Sequence, residues 1–343
     1  MKIVGLITEY NPFHNGHLHH INEARRVTGA DYVIVVMSGD YVQRGAPAVM
    51  PKRLRAEMAL KCGASAVFEL PVCYAAGSAE YFAMGAVSLL DSLGIVDAIC
   101  FGSECNDLES LSHVADILTG EPDDYRSLLR TNLKKGVSFP SARHDALLEY
   151  THVPAYAALL DDPNNILGIE YLKSLKRLGS HITPFTIQRE GSHYHDQNLS
   201  PERLSSASAI RSLLAYSGSS LRTEHSGAGF ENTSFSSILG ELEEQVPSCC
   251  LELLEDYHRV QYPVYQNDFS IILKYKLLNK HPGSLVRYQD VSEELANRIC
   301  AQLNNFFNYK QFAELLKTRE TTQTRINRAL LHIMLGLKKN DMT

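Results

Sequence analysis

Two histidines lie near the start of the chain, within the sequence NPFHNGH at residues 11 to 17. Because His14 and His17 are three residues apart, their imidazoles would point the same way on the first turn of a helix. Free backbone N–H groups and the positive dipole end of such a turn attract phosphate. Gly16 lets a bulky ligand approach the backbone closely. The pattern therefore favours binding of a nucleotide phosphate.

This H-x-G-H pattern resembles the signature of the nucleotidyltransferase superfamily, whose members transfer AMP, CMP or similar groups. The alternative is a pair of surface or helix-capping histidines in an ordinary loop. The context favours the first interpretation, because a predicted strand at 3–7 precedes the motif and a predicted helix at 18–28 follows it.

Apolar runs alternate with helical patterns up to residue 187. We predict strands at 3–7, 31–37, 66–70, 98–101 and 182–187, and helices at 18–28, 52–62, 78–93 and 166–178. This alternation favours right-handed crossovers and a parallel sheet. The predicted fold class is α/β, a Rossmann-like, doubly wound parallel five-stranded sheet of the nucleotidyltransferase type with an additional, mostly helical C-terminal region. Ligands of such sheets bind beyond the carboxyl ends of the strands.

The sequence SGDYVQRG at residues 38 to 45 follows the second predicted strand. We expect Asp40 to orient a ribose, an ammonium or a metal-bound water, and Arg44 to hold a carboxylate or phosphate. The alternative is a solvated loop in which Asp40 begins a turn. Just beyond it, Lys52, Arg53 and Arg55 are interpreted mainly as helical surface charges, with one of them reaching a triphosphate.

Two later patterns are candidates for nucleotide contacts. Asn165, in DDPNNILGIEY at 161–171, is suited either to a hydrogen bond with a base or ribose or to a plain helix N-cap. The sequence LSSASAIR at 204–211 resembles a second nucleotidyltransferase signature, Ser-(Ser/Thr)-x-x-Arg, which contacts the β- and γ-phosphates. Ser206, Ser208 and Arg211 suit phosphate, although a serine-rich helix cap would look similar.

Four stretches together resemble the tRNA(Met) cytidine acetate ligase family: MKIVGLITEYNPFHNGH, VVMSGDYVQRG, PNNILGIEY and KTRETTQTRINRALLHIMLG. The resemblance implies an enzyme that uses ATP and acetate to convert the wobble cytidine of elongator tRNA(Met) to N4-acetylcytidine. It implies catalytic roles for His14, His17 and Asp40, and Mg²⁺ accompanying the ATP. The implied ATP site comprises Ile7, Thr8, Glu9, Tyr10, Asn11, Pro12, Phe13, His14, Asn15, Gly16, His17, Leu18, His19, His20, Gly102, Asn165, Arg189, Ser206, Ser208 and Arg211. His193 and His195, after that arginine, are either part of the site or surface loop histidines.

The C-terminal part of the chain is predicted to be helical, with helices at 238–244, 249–258, 269–278, 292–303, 309–316 and 322–337. From Asp268 onward it carries twelve Lys and Arg against seven Asp and Glu, which favours a nucleic-acid partner. We expect Lys317, Arg319, Arg325 and Arg328 to grip tRNA phosphates; the alternative is a solvated basic helix face. The predicted domains are 1–215 for ATP and acetate, a Ser/Gly-rich linker at 216–237, and a tRNA-binding region at 238–343.

The overall composition is typical of a globular protein with a small negative net charge. The hydrophobic fraction of 44% and charged fraction of 21% are typical of a globular protein, and the net charge of −6 argues against bulk attraction to polyanions. The seven cysteines form no C-x-x-C pair, so we interpret them as reduced thiols and predict no metal site. With no leader or membrane span apparent, we expect a cytoplasmic protein. Two other functions stay open, namely an adenylyltransferase of a small cofactor precursor and a non-catalytic nucleotide-sensing RNA-binding protein.

Overall fold

A computed structural model of the protein describes residues 1–189, 207–218 and 235–342. Three residues singled out in the sequence, Ser206, His193 and His195, lie outside the described residues.

The strands form one five-stranded sheet and one small hairpin. In chain order they are β1 (Ile3–Thr8), β2 (Tyr32–Ser38), β3 (Tyr41–Val42), β4 (Ala46–Pro47), β5 (Ala66–Leu70), β6 (Ala98–Ser103) and β7 (Thr183–Gln188). The sheet has the order β5-β2-β1-β6-β7 and all its strands are parallel, whereas β3 and β4 pair antiparallel. The predicted parallel five-stranded sheet is confirmed, and its central strand β1 runs into the H-x-G-H motif.

The α-helices are distributed along the whole of the described chain. They are α1 (Asn15–Thr28), α2 (Lys52–Lys61), α3 (Val72–Ala75), α4 (Ala79–Ser92), α5 (Leu108–Gly120), α6 (Asp123–Leu133), α7 (Phe139–Thr151), α8 (Pro154–Ala158), α9 (Pro163–Leu178), α10 (Ala207–Gly218), α11 (Phe235–Glu243), α12 (Ser248–Tyr257), α13 (Ser270–Leu278), α14 (Pro282–Leu285), α15 (Glu293–Gln302), α16 (Tyr309–Leu315) and α17 (Gln323–Leu335). Short 3₁₀ helices lie at Gln266–Phe269, Leu303–Asn305 and Lys339–Met342. No helix among these is long and apolar enough to cross a lipid bilayer.

The two faces of the sheet are covered by different helices. On one face α1, α2, α10, α11 and α12 pack against side chains of β1 and β2, among them Leu6 and Val35. On the other face α4, α5 and α9 pack against Ile34 and Phe101. Contact there is close, because a Cβ added to Gly168 of α9 would lie 2.6 Å from Cε2 of Phe101. Both faces of the sheet are therefore covered by apolar side chains, as the continuous apolar sequence of its strands predicts.

A third apolar core is built mainly from α13 to α17. By contrast α11 and α12 belong to the same apolar core as β1 and β2. The predicted division into domains at 216–237 stays a prediction. Buried His332 of α17 ties this third core to the residue that follows α3, with its Nε2 3.0 Å from the carbonyl oxygen of Ala76.

Candidate nucleotide-binding site

The turn between β1 and α1 fixes the orientation of both histidines. His14 is the N-cap of α1, and its Nδ1 accepts a hydrogen bond from the backbone N–H of Gly16 at 3.1 Å. The backbone N–H of His14 in turn donates to Nδ1 of His17 at 3.3 Å. A neutral imidazole whose Nδ1 accepts must carry its proton on Nε2. The two rings, stacked with centroids 3.7 Å apart, therefore each present an Nε2–H donor.

Burial keeps these rings uncharged. It lowers the pKa of His14 to about 3, an effect to which the nearby charges of Arg189 and Arg211 add. It also lowers the pKa of His17 well below the usual histidine value, and that of His20 to about 4. Near neutral pH the histidines are therefore hydrogen-bond donors, and the positive charge beside them comes from Arg189 and Arg211.

The backbone of the first turn of α1 is not available to a ligand, contrary to our prediction. The N–H of Asn15 donates to the carbonyl of Gln245 at 2.9 Å, and that of Gly16 donates to His14. The next two N–H groups, of His17 and Leu18, donate to the carbonyl of His14. Since these donors already have partners, the imidazole Nε2–H groups are the donors that a phosphate would meet.

Several other residues predicted to line ATP support the histidines from behind. Tyr10 and Phe13 are fully buried, and the ring of Tyr10 packs edge-on against His17 at 4.8 Å. Nε2 of His20 lies 3.2 Å from the carbonyl oxygen of Cys100 in β6. The side chain of Asn15 donates to the carbonyl of Glu244 at 3.0 Å. These contacts hold α1 on the sheet and against the segment between α11 and α12.

The second predicted signature lies against the first, although Ser206 is outside the described residues. Arg211 of α10 donates from Nη1 to the carbonyl of Asn11 at 2.7 Å and from Nη2 to Oγ of Ser208 at 2.8 Å. Oδ1 of Asn11 accepts from the backbone N–H of Val49 at 2.8 Å. An open cleft of about 330 Å³ lies alongside, and Pro47, Ser208 and Arg211 contribute to its walls. The fold thus brings together the two sequence patterns that were predicted to bind phosphate.

The interpretation of Arg55 as a helical surface charge is wrong. Lys52 does form the expected surface pair, with Nζ 2.6 Å from a carboxylate oxygen of Glu69. Arg55 is instead fully buried and donates to the backbone carbonyls of Glu9, Gly39 and Met50. Burial lowers its pKa to about 10. It therefore ties the turn after β1 to the turn after β2, and its position on the same helix face as buried Leu54 and Met58 is the signal that could have revealed it.

Asp40 has a structural contact in the hairpin region. It is exposed, and its Oδ1 accepts from the backbone N–H of Lys52 at the start of α2, at 2.8 Å. The next segment is tied to the histidine turn, because the backbone N–H of Gln43 donates to Oε1 of Glu9 at 2.9 Å. A catalytic role for Asp40 stays a prediction.

Asn165 shapes the loop after β6. It is buried, and its Oδ1 accepts from the backbone N–H groups of Glu104 at 3.0 Å and Cys105 at 3.2 Å. The carboxylate of Glu104 accepts in return from the N–H of Asn165 at 2.9 Å. The N-cap of α9 is Asp162, so Asn165 is not the plain cap that was one of the alternatives. Gly102 lies just before this loop, and an added Cβ there would meet open space.

Arg189 is positioned at the same end of the sheet. It is exposed, follows β7 directly, and its backbone N–H donates to the carbonyl of Ser103 at 3.0 Å. The ends of β1, β6 and β7 therefore bring the histidines, Gly102 and Arg189 to one edge, as the topology predicts.

The four basic residues predicted to grip tRNA divide into two groups. Lys317, Arg319 and Arg325 are exposed, and among the described residues no carboxylate lies within ion-pair distance of them. We name these three residues the basic surface. Arg328 is instead 12% exposed and paired with Asp290, with Nε 2.8 Å from Oδ2. This ion pair gives Arg328 a structural role inside the helical core.

The family model described as HIGH Nucleotidyl Transferase matches residues 1–343. A tRNA(Met) cytidine acetate ligase of Acetivibrio thermocellus is 41% identical over 344 residues, covering 100% of this chain and 79% of that protein. One from Caldanaerobacter subterraneus subsp. tengcongensis is 44% identical over 340 residues, covering 99% of this chain and 79% of that protein. The chain belongs to the tRNA(Met) cytidine acetate ligase family. The resemblance inferred from the four sequence stretches is thereby confirmed.

Solved structures agree with this membership of the tRNA(Met) cytidine acetate ligase family. The crystal structure of Thermotoga maritima TmcAL bound with alpha-thio ATP superposes with a TM-score of 0.87 at 36% identity, covering 100% of this chain and 77% of that one. The apo form of the same protein gives a TM-score of 0.90, also at 36% identity and with the same coverage. At this similarity the fold is shared along the whole length of this chain.

Proposed function

We propose that this protein activates acetate with ATP and transfers the acetyl group to the exocyclic amine of the wobble cytidine of elongator tRNA(Met). Its family membership supports this function, and so does an ATP analogue bound by a relative of the same fold. The observation that carries the proposal is the pair of neutral imidazoles, each with an Nε2–H donor at the edge of the sheet. A site of uncharged donors between two arginines suits a triphosphate that must bind and then leave as pyrophosphate.

The first step forms acetyl-AMP. An oxygen of acetate attacks the α-phosphorus of ATP, the bond to the β-phosphate oxygen breaks, and pyrophosphate leaves. His14 and His17 donate hydrogen bonds to phosphate oxygens whose negative charge grows in the transition state. Arg189 and Arg211 supply positive charge beside them. The residues act by positioning the two reactants and by stabilising charge, without a covalent enzyme intermediate.

The second step transfers the acetyl group to RNA. The exocyclic amine of the cytidine attacks the acetyl carbonyl, loses a proton, and AMP leaves. This amine is nearly non-basic, so the activation resides in the mixed anhydride. A wobble base is unpaired in free tRNA, and it can therefore leave the anticodon stack at small cost. The basic surface would hold tRNA phosphates without reading bases.

In this proposal Mg²⁺ would bind together with ATP, through the phosphates of the nucleotide. Mg²⁺ sites on proteins commonly use one or two carboxylates together with substrate phosphates. Among the described residues no group of three carboxylates or histidines converges to form a cage. We therefore assign no protein ligand to Mg²⁺. A tRNA substrate would place the enzyme in the cytoplasm.

The discriminating experiment is ATP–pyrophosphate exchange with different acyl or nucleotide acceptors. We expect exchange with acetate and none with phosphopantetheine or nicotinamide mononucleotide, because those substrates belong to the adenylyltransferases of small cofactors. Exchange with the cofactor precursors instead of acetate would overturn the proposal. ATP binding without any exchange would favour the nucleotide-sensing RNA-binding alternative.

A further inference from the structure

Three cysteines that are distant in sequence meet behind the histidine turn. Cys62 ends α2, while Cys249 and Cys250 lie on the first turn of α12. Sγ of Cys62 is 3.5 Å from Sγ of Cys250 and 3.6 Å from Sγ of Cys249. All three sulfur atoms lie within 4.8 Å of one another, and all three cysteines are free thiols. We call this group the thiol cluster.

We propose that the thiol cluster is a binding site for a soft, thiophilic metal cation of the zinc class. Zn–S bonds of about 2.3 Å in a tetrahedral site place the sulfur atoms about 3.8 Å apart. The two measured separations, 3.5 and 3.6 Å, require adjustments of only a few tenths of an ångström. Thiolate ligands select Zn²⁺ and related soft ions over Mg²⁺ or Ca²⁺, which prefer oxygen.

The surroundings of the thiol cluster allow an ion to enter and be held. The neighbouring sulfur of Cys62 and burial raise the pKa of Cys250, and burial raises the pKa of Cys249, so a bound ion would displace the protons of both thiols. Cys62 and Cys250 are buried, so the fixed protein shell holds two of the three ligands in place. Cys249 is partly exposed and gives an ion a route to the site. A water on this side would complete a four-coordinate centre.

The position of the thiol cluster indicates a structural purpose. Helix α2 also carries Arg55, which holds the carbonyls of Glu9 and Gly39. The segment before α12 accepts both hydrogen bonds from Asn15, at the carbonyls of Glu244 and Gln245. A bound ion would therefore clip together the two elements that hold the histidine turn. It would also close a loop between residues 187 positions apart, which constrains the unfolded chain strongly.

Titration of the full-length, reduced, metal-free protein with Co²⁺ tests this proposal without any variant. We expect one equivalent to bind with a thiolate-to-cobalt charge-transfer band, Zn²⁺ to displace it, and Zn²⁺ to raise the unfolding temperature. Absence of the band, or a d–d spectrum typical of oxygen ligands only, would overturn the proposal. Both results are independent of ATP or tRNA chemistry. Failure of the proposed ligase function would therefore leave the metal site intact, and failure to bind metal would leave the proposed ligase function intact.

Substitutions then locate the site. Cys249→Ser, at the partly exposed ligand, should weaken Co²⁺ binding by about 100-fold or more and lower the intensity of the charge-transfer band by about one third, because two of the three sulfur ligands remain. The matched control is Cys300→Ser, which changes a partly exposed thiol in the helical core outside the cluster. It should leave the band and the affinity unchanged. Unchanged affinity and band intensity in Cys249→Ser, or a weakened band in Cys300→Ser, would contradict the assignment.

Discussion

Gly45 and Arg328 lie backbone against backbone, so that a Cβ placed on Gly45 would be 2.3 Å from the backbone nitrogen of Arg328. This contact presses the end of the β3–β4 hairpin onto α17, the helix that bears Arg325. The same hairpin is tied to the histidine turn through Gln43 and Glu9. These contacts connect the histidine turn with α17, which carries Arg325 of the basic surface.

We predict that Gly45→Ala destabilises the protein for two reasons. Gly45 has φ +73°, in the left-handed region, and the new methyl group meets backbone atoms that cannot rotate away. The matched control is Gly29→Ala, because Gly29 has φ +66° but open space around its Cβ position. The control should lose about 1 kcal/mol of unfolding free energy, and Gly45→Ala clearly more. Urea denaturation measures both, and equal losses would show that the hairpin does not press on α17 in solution.

We predict that His17→Ala slows acetate-dependent ATP–pyrophosphate exchange by about 100-fold, because it removes one preorganised donor to the developing charge. Substitution of His113, an exposed histidine on α5, by alanine should leave exchange at the wild-type rate. Initial rates at saturating ATP check both variants. Full activity of His17→Ala would mean that the phosphates bind elsewhere.

We predict that the protein loses stability as the pH falls below about 6.5, the histidine value in an unfolded chain. In the folded protein burial lowers the pKa of His14 to about 3 and that of His20 to about 4. Between these values only the unfolded chain takes up the protons, so acid favours unfolding. Each such histidine contributes up to about 1.4 kcal/mol per pH unit.

His14→Asn isolates one of these contributions, since asparagine preserves a helix N-cap. Urea unfolding at pH 7, 6 and 5 should show a shallower loss of stability in the variant than in the wild type. Parallel curves for the two proteins would mean that His14 takes up its proton in the folded state as readily as in the unfolded chain.

We predict opposite signatures for the two arginines of α17. Arg325→Ala should weaken tRNA binding and reduce the slope of log affinity against log salt by about 1, with unchanged stability. Arg328→Ala should lower the unfolding free energy by about 2 kcal/mol, because it leaves the carboxylate of Asp290 partly buried without its partner. Filter binding at several salt concentrations and thermal unfolding separate the two effects. Lower stability in Arg325→Ala together with weaker tRNA binding in Arg328→Ala would contradict the assignment of Arg325 to tRNA binding and Arg328 to the helical core.

Much of the architecture could be predicted from local patterns. The apolar run predicted at 31–37 becomes the buried interior strand β2, and the helices placed beyond residue 238 correspond closely to α11, α12, α13, α15, α16 and α17. These elements are predictable because the spacing of apolar residues along the sequence differs between helices and strands. The H-x-G-H motif is similarly local, and the structure places it directly after β1, at the start of α1, as the sequence predicts.

Features made by tertiary contact left little trace in the sequence. The sequence around Arg55 is typical of a surface charge, because the turns after β1 and β2 that bury it are brought close only by the fold. The thiol cluster joins residues 187 positions apart, so cysteine spacing alone concealed it. The N–H of Asn15 in α1 is occupied by the carbonyl of Gln245, which only the packing of the α11–α12 segment brings close.

Mass analysis of elongator tRNA(Met) after incubation with the protein, ATP and labelled acetate tests the central claim most directly. We predict one acetyl group on a single anticodon-loop cytidine, dependent on ATP, and strongly reduced by His14→Ala through the chemistry and by Arg325→Ala through docking. Unmodified tRNA in the presence of all three components, from a protein that is folded, would contradict the account.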